Sequence, residues 1–288
     1  MTSSNGHYYV PEKSPWPIIT MFGVLFLVIG AVLAINSVGV GSWLMVLGFG
    51  LFGLILYGWF RDVISENLAG VYNAQVDRSF RQGMFWFIAS EVFFFLGFFG
   101  ALFYLRMISL EWMGGEGYLA ATREFLWPDF SAEWPTGGPE PAGGEFEPMG
   151  PWGLPAINTA ILLSSGATIT WAHWALKLQK NRQLVLGLAA TVALGFLFVA
   201  LQAWEYGHAY TDLNLTLGSG VYGSTFYMLT GFHGFHVTMG TVMLLVITLR
   251  AAKGHFSPEN HFAFEGVAWY WHFVDVVWMG LFIFVYVL

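Results

Sequence analysis

The chain is a series of long apolar stretches separated by short polar segments. Residues 14–60 contain no Asp, Glu, Lys or Arg, and a segment rich in Gly and Ser at 36–42 divides this stretch in two. Five further apolar stretches lie at residues 82–105, 156–176, 183–204, 221–249 and 266–288. A transmembrane helix needs about 20 mostly apolar residues. The pattern therefore predicts seven transmembrane helices, because the stretches are too long and continuous for the strands of a membrane β-barrel.

The composition also indicates an integral membrane protein. Hydrophobic residues make up 56% of the chain and Asp, Glu, Lys and Arg only 10%, whereas a soluble domain carries about 25% charged residues. So few charges cannot cover the surface of a water-soluble protein of 288 residues. The chain has no cysteine, which excludes disulfides, thiolate metal sites and catalytic thiols. Its net charge of −7 gives no indication of nucleic-acid binding.

The basic residues predict the orientation of the helices. With seven helices, alternate connecting segments share a side, and nine of the 11 Lys and Arg residues fall on the same side as the N-terminus. The positive-inside rule makes this side the cytoplasm or the matrix. The C-terminus is then predicted to lie outside.

The predicted helices define three regions and one long outer loop. Residues 1–60 form an N-terminal hairpin of helices, residues 61–81 an interfacial segment on the cytoplasmic side, and residues 82–288 a five-helix bundle. The outer loop covers residues 107–153 and is either an irregular solvated loop or a negative docking surface for a basic partner. Its acidic residues are Glu111, Glu116, Glu124, Asp129, Glu133, Glu140, Glu145 and Glu147.

Two acidic residues lie deep inside predicted helices, where a charge is costly. Glu91 is the tenth residue of the third stretch and Asp275 the tenth residue of the last, which places both at a depth of roughly 14 Å. The simplest interpretation of Glu91 is a neutral acid hydrogen-bonded to a neighbouring helix, and a proton relay is the alternative. Asp275 and His272 share a helix face, which indicates a polar contact or, as the alternative, a carboxylate behind a metal ligand.

Three further histidines lie on apolar helices, and metal binding is the obvious alternative to test. His233 and His236 are one helical turn apart, and His173 lies near the end of the fourth helix. A metal site usually needs three or more protein ligands. We therefore expect interhelical hydrogen bonds rather than a metal site at these histidines. Gly48, Gly50 and Gly53 in the second helix predict close helix approach.

Ten short motifs in a fixed order resemble one family, subunit III of the haem-copper oxidases in its cytochrome c oxidase (aa3-type) form. The motifs cover nearly the whole chain, and their order and spacing are specific. They are SPWP from residue 14, FRDVI from 60, GMFWFIASEVFFFLGFF from 83, WPTG from 134, INTAILLSSG from 157, TWAH from 170, LQAWEY from 201, GVYGSTF from 220, TGFHGFHV from 230 and AWYWHFVDVVW from 268.

This resemblance implies a role without redox chemistry in the chain itself. Subunit III packs against the catalytic subunit I, supports sustained proton uptake, and holds phospholipid in a cleft between helices 1–2 and helices 3–7. Haem a, haem a3, CuA and CuB are then expected in other subunits. The implied partners are subunits I and II, with cytochrome c as electron donor to the complex. The resemblance also adds Glu205, in LQAWEY, to the buried polar residues.

The resemblance also implies a set of phospholipid contacts. Basic groups near the membrane surface suit lipid phosphates, and Glu91 matches the buried glutamate of the family. The implied lipid-binding residues are Arg61, Glu66, Arg81, Glu91, Arg250, Lys253 and His255. The chain departs from the family at Ser65 and at Val71–Tyr72, where the family has an arginine and two histidines, and at Trp174, which replaces the second of two histidines.

Location and alternative functions follow from the same comparison. The outer loop is longer than in the mitochondrial form, so we expect a bacterial plasma membrane, with the mitochondrial inner membrane as the alternative. A quinol oxidase subunit III usually lacks the first two helices, which this chain has. A proton-coupled transporter using Glu91 and Asp275 would be expected to show inverted repeats. A metalloenzyme built on His233, His236 and His272 is the third alternative.

Overall fold

The computed structural model describes Tyr9 and residues 13–117, 120–139 and 144–288. The described residues form helices and connecting turns, and no strand occurs among them. Glu140 and most of residues 1–12 of the predicted hairpin region lie outside the described residues. The helices are α1 (Trp16–Ile35), α2 (Val40–Leu68), α3 (Ala74–Tyr104), α4 (Leu110–Met113), α5 (Ala120–Leu126), α6 (Leu154–Lys177), α7 (Asn181–Thr211), α8 (Gly220–Ala252) and α9 (Phe262–Leu281).

The long helices extend beyond the apolar stretches that predict them. Helix α2 continues to Leu68 and α3 begins at Ala74, so most of residues 61–81 are helical. Helix α7 continues to Thr211, seven residues past the predicted end. Polar residues can continue a helix once it leaves an apolar region, because helical hydrogen bonds do not depend on apolar side chains. The apolar pattern therefore located the helices but not their ends.

Among the described residues, six helices are long and apolar enough to cross a membrane by length and composition. They include α1 and α2, the continuous helical region Ala74–Met113, α7, α8, and α9 with the π-helical turns that follow it. Helix α6 has 24 residues but is not among the six. It contains many Ser, Thr, Ala and Gly residues, which lower its hydropathy. The count of seven spans stays a prediction, as does the lipid cleft.

The chain divides into two compact units, Met1–Phe80 and Arg81–Leu288, with the division inside α3. In the first unit, α1 and α2 form an antiparallel hairpin joined by residues 36–39. The helices approach closely at Gly30 and Gly48, where an added Cβ would lie 2.7 Å from the Met45 nitrogen and 2.8 Å from the Leu27 nitrogen. Gly50 and Gly53 have no atom of α1 this near, so these two glycines do not contribute to the close approach within the hairpin.

In the second unit, α6, α7, α8 and α9 pack in a ring, each against its neighbours. Its interior is filled by large side chains, of which Trp271 and Trp278 are fully buried. The indole nitrogen of Trp271 donates to Ser165 at 2.8 Å and that of Trp278 to Thr159 at 2.9 Å. Because buried N–H groups need acceptors, these hydroxyls on α6 fix how α9 packs against it.

The predicted outer loop is ordered by backbone hydrogen bonds to the first turn of α8 and to the segment between α7 and α8. The nitrogen of Tyr222 donates to the Thr136 carbonyl at 3.0 Å, and the nitrogen of Glu147 donates to the Leu213 carbonyl at 2.9 Å. Gly220 has a φ of +76° and contacts the loop backbone so closely that a Cβ would not fit. The described part of residues 107–153 is therefore a docked segment containing α4 and α5 rather than a wholly irregular loop.

Candidate functional site

Glu91 on α3 and His236 on α8 form a polar contact between apolar helices. Oε2 of Glu91 lies 2.9 Å from Nε2 of His236, and Nδ1 of the same ring donates to the Phe232 carbonyl at 2.6 Å. The rings of Phe95 and Tyr270 pack around the imidazole. Since Nδ1 carries a proton, one further proton lies between Glu91 and His236 in a neutral pair. The partner of Glu91 thus lies 145 residues away in the chain.

His233, one turn before His236, is fully buried and has a different role. Its Nε2 donates to the Val274 carbonyl on α9 at 3.2 Å, and its ring packs beside those of Phe198 and Trp278. The two histidines of α8 therefore contact different helices. They do not share a cluster of three or more metal-ligating residues in the described chain.

His272 and Asp275 lie close together at the α6–α9 contact. Nδ1 of His272 lies 3.5 Å from Oδ2 of Asp275, and its Nε2 lies 3.4 Å from the Thr170 hydroxyl. Asp275 is buried, but 46% of the His272 side chain is exposed. The predicted polar contact between His272 and Asp275 therefore has one buried member and one that is partly exposed on this chain. Gly166 on α6 leaves space for the carboxylate.

Glu205 on α7 is fully buried and accepts a hydrogen bond from the Tyr286 hydroxyl at 2.8 Å. Its second oxygen has no hydrogen-bond partner among the described residues. Tyr286 lies in the π-helical segment Phe282–Val287 that extends α9. This contact therefore joins the last residues of the chain to α7.

Three of the predicted lipid-binding residues lie together at the end of α8. Arg250 is buried, its guanidinium lies 4.8 Å from the Phe256 ring centroid, and its Nε and Nη2 have no hydrogen-bond partner among the described residues. Nδ1 of His255 is also buried without a partner there. Burial, with Arg250 and Lys253 nearby, lowers the pKa of His255. The arrangement offers several unused donors and positive charge to an anion.

The other predicted lipid-binding residues have different surroundings. In the first unit Arg61 is exposed, and Glu66 accepts a hydrogen bond from the Tyr72 hydroxyl at 2.6 Å. Burial and Glu66 together raise the pKa of Tyr72. In the second unit Arg81 forms an ion pair with Glu265 and lies over the Phe262 ring. A charge that is already paired offers less to a phosphate, so Arg81 differs from Arg250.

The neighbours of His173 in the structure could not be predicted from the sequence. It lies within 3.6 Å of Glu265 and 3.4 Å of His261, two residues that were not among the predicted site residues. Both lie at the start of α9, four residues apart and so on one helix face. A histidine and a glutamate four residues apart were the sequence feature that could have indicated this site. Only the fold shows that His173 lies beside them.

Comparison with known proteins gives a uniform result. A family model described as cytochrome c oxidase subunit III matches residues 6–117 and 126–288. Proteins named cytochrome c oxidase subunit 3 from Formosania lacustris and Carassius auratus are each 42% identical over 280 residues, covering 97% of this chain and 96% of theirs. The protein of that name from Marchantia polymorpha is 41% identical over 288 residues, covering 99% and 98%. The chain belongs to the cytochrome c oxidase subunit III family.

Proposed function

We propose that this chain is a non-redox accessory subunit of a proton-pumping cytochrome c oxidase that packs against subunits I and II and supports sustained proton uptake. The family match over almost the whole chain is the observation that carries the proposal. The chain's apolar surface also supports a place beside other membrane chains or lipid, since side chains such as Trp43, Phe93 and Val276 are largely exposed. Haem a, haem a3, CuA and CuB belong to the other subunits in this proposal, and cytochrome c donates electrons to the complex.

Phospholipid binding is the second part of the proposal, and the end of α8 supports it. The donors of Arg250 and His255 that lack partners, together with the charge of Lys253, suit the oxygens of a lipid phosphate. A buried guanidinium without acceptors is costly, so a bound phosphate group would stabilise this segment. Arg61, Glu66, Arg81 and Glu91 remain in the proposed set of lipid contacts.

Seven spans, with the N-terminus in the cytoplasm or matrix, complete the proposal. Helix α6, with 24 residues, is about 36 Å long at 1.5 Å per residue, enough to cross a hydrocarbon core of about 30 Å. The relatives include fish, plant and algal proteins, which favours the mitochondrial inner membrane. The long outer loop favours the bacterial plasma membrane.

The quinol oxidase alternative and the transporter alternative have less support. The relatives named above carry the name cytochrome c oxidase, and the chain includes the two N-terminal helices that a quinol oxidase subunit III usually lacks. A transporter would be expected to show inverted repeats and broken helices. No repeat is visible in the sequence.

The accessory role is tested by removing the chain from the purified oxidase. We expect the initial rate of oxygen reduction to be nearly unchanged and the activity to decay over many turnovers, because proton uptake fails before electron transfer does. The matched control is the same complex with the chain added back. Undiminished activity and proton uptake over many turnovers in the depleted complex would contradict the proposal.

The lipid part is tested by substitution at the end of α8. In the complex carrying Arg250→Gln we expect fewer phospholipids to co-purify, measured by mass spectrometry of the intact complex. Lys180→Gln, which removes an exposed charge between α6 and α7, is the control and should leave the lipid count unchanged. An equal lipid count in all three complexes would remove Arg250 from the proposed contacts.

A further inference from the structure

Three side chains that can ligate a metal ion converge where the end of α6 meets the start of α9. Nε2 of His173 lies 3.4 Å from Nε2 of His261 and 3.6 Å from Oε1 of Glu265, and the latter two atoms are 3.4 Å apart. In the part of the chain that the structure describes, no other group of three or more such residues brings its ligand atoms this close.

The size of this triangle fits tetrahedral coordination of zinc. The point equidistant from the three atoms lies about 2.0 Å from each of them, and Zn²⁺ binds His nitrogens at about 2.0–2.1 Å and carboxylate oxygens at about 2.0–2.2 Å. An ion slightly out of the plane of the three atoms reaches all of them without any movement of the backbone. The fourth position is left for water.

The hydrogen bonds behind the ligands orient them for this purpose. Nδ1 of His261 donates to the Ser257 carbonyl at 3.0 Å, which leaves the lone pair of a neutral ring on Nε2. Two backbone hydrogen bonds between Ser257 and Asn260 hold that carbonyl in place. A ligating histidine typically donates its other N–H to a carbonyl or carboxylate in this way. The second oxygen of Glu265 is held by the ion pair with Arg81.

Without a cation, the three atoms are poorly matched to one another. Oε1 of Glu265 and Nε2 of His261 are both acceptors, and the His173 ring can offer at most one proton between them. The positive charge of Arg81 opposes a cation, but it lies on the carboxylate oxygen that faces away from the two rings. A metal ion satisfies all three acceptors at once.

We propose that His173, His261 and Glu265 form a binding site for a divalent transition-metal ion, for which Zn²⁺ is the best fit. About 23% of the His173 side chain is exposed, so the ion has access from the polar end of the helices. Bound metal ties α6 to α9, and through Arg81 to α3. The site has no redox role and does not depend on the proposed accessory function.

The test is the zinc content of the purified oxidase complex after chelation and re-equilibration with Zn²⁺. We expect the complex with His173→Gln to bind one zinc fewer per chain than the unsubstituted complex. His208→Gln is the matched control, because it replaces an exposed histidine near the other end of α7, and it should retain the full content. X-ray absorption at the zinc edge should lose imidazole scattering in His173→Gln and keep it in His208→Gln.

A second variant and a pH series complete the test. Glu265→Gln keeps the size of the side chain but lowers its affinity for metal, so it should also lose the zinc, and it serves if His173→Gln fails to assemble. Zinc should be released on acidification, because protonated ligands do not bind metal. Equal zinc content in the substituted and unsubstituted complexes overturns the proposal, and a proton shared between the two rings then accounts for their approach.

Discussion

The contact between Glu91 and His236 gives the sharpest prediction about what holds α3 to α8. Only 20% of the Glu91 side chain and 10% of the His236 side chain are exposed. A neutral pair, in which Glu91 donates to Nε2, avoids the desolvation of two charges among apolar helices. The alternative is an ion pair between a carboxylate and an imidazolium.

The two arrangements predict different costs for the same substitutions. In Glu91→Gln the amide N–H group donates to Nε2 of a neutral ring, so we expect a change of about 1 kcal/mol or less, within the net value of one hydrogen bond. Glu91→Ala leaves the buried Nε2 of His236 without a hydrogen-bond partner, which costs about 1–3 kcal/mol. In an ion pair, Gln would instead strand a buried charge at a cost of about 3–5 kcal/mol.

The assay measures the fraction of the chain that stays bound to the purified complex as the urea concentration is raised. His236→Phe and the double variant Glu91→Ala with His236→Phe complete a double-mutant cycle, which isolates the interaction from the other effects of each substitution. We expect a coupling energy of about 0.5–3 kcal/mol, the range found for residues in direct contact. Infrared spectroscopy should also show a protonated carboxylic acid that is lost in Glu91→Gln. A coupling energy near zero, or equal costs for Gln and Ala, would refute the reasoning.

Three further predictions concern other parts of the chain. Gly48→Leu should destabilise the helical hairpin by about 1–3 kcal/mol through overpacking, measured by urea release, whereas Gly50→Leu should cost the hairpin much less because no atom of α1 lies near it. In the chain freed of lipid, the lowered pKa of His255 means that the folded chain binds this proton less readily than the unfolded chain does, so stability should fall as pH drops below the ordinary value of 6.5. Urea midpoints measured across that pH range should fall less in His255→Gln, and equal slopes would count against the shift. Because the chain has no cysteine, single cysteines report orientation directly: an impermeant thiol reagent added outside should label Asp129→Cys and not Lys180→Cys, and the reverse pattern would invert the topology.

The sequence by itself determined that this is a helical membrane protein and where most of its long helices lie. The chain has too few charges to cover the surface of a soluble protein, and its apolar stretches are long enough to cross a membrane as helices. These two features restrict the fold class to a helical membrane protein. The order of the motifs was also sufficient to identify the family, which the match over residues 6–117 and 126–288 confirms. The ends of the helices could not be predicted in this way, because α2 and α7 continue into polar sequence beyond their apolar stretches.

The tertiary structure alone decided which faces pack and which polar groups meet. In lipid the outer face of a helix is as apolar as the inner face, so the apolar pattern cannot separate Gly48, which contacts α1, from Gly50, which does not. The pairing of Glu91 with His236, and of His173 with residues at the start of α9, joins distant parts of the chain. Such contacts depend on helix rotation and crossing geometry, which side-chain packing sets once the helices are assembled.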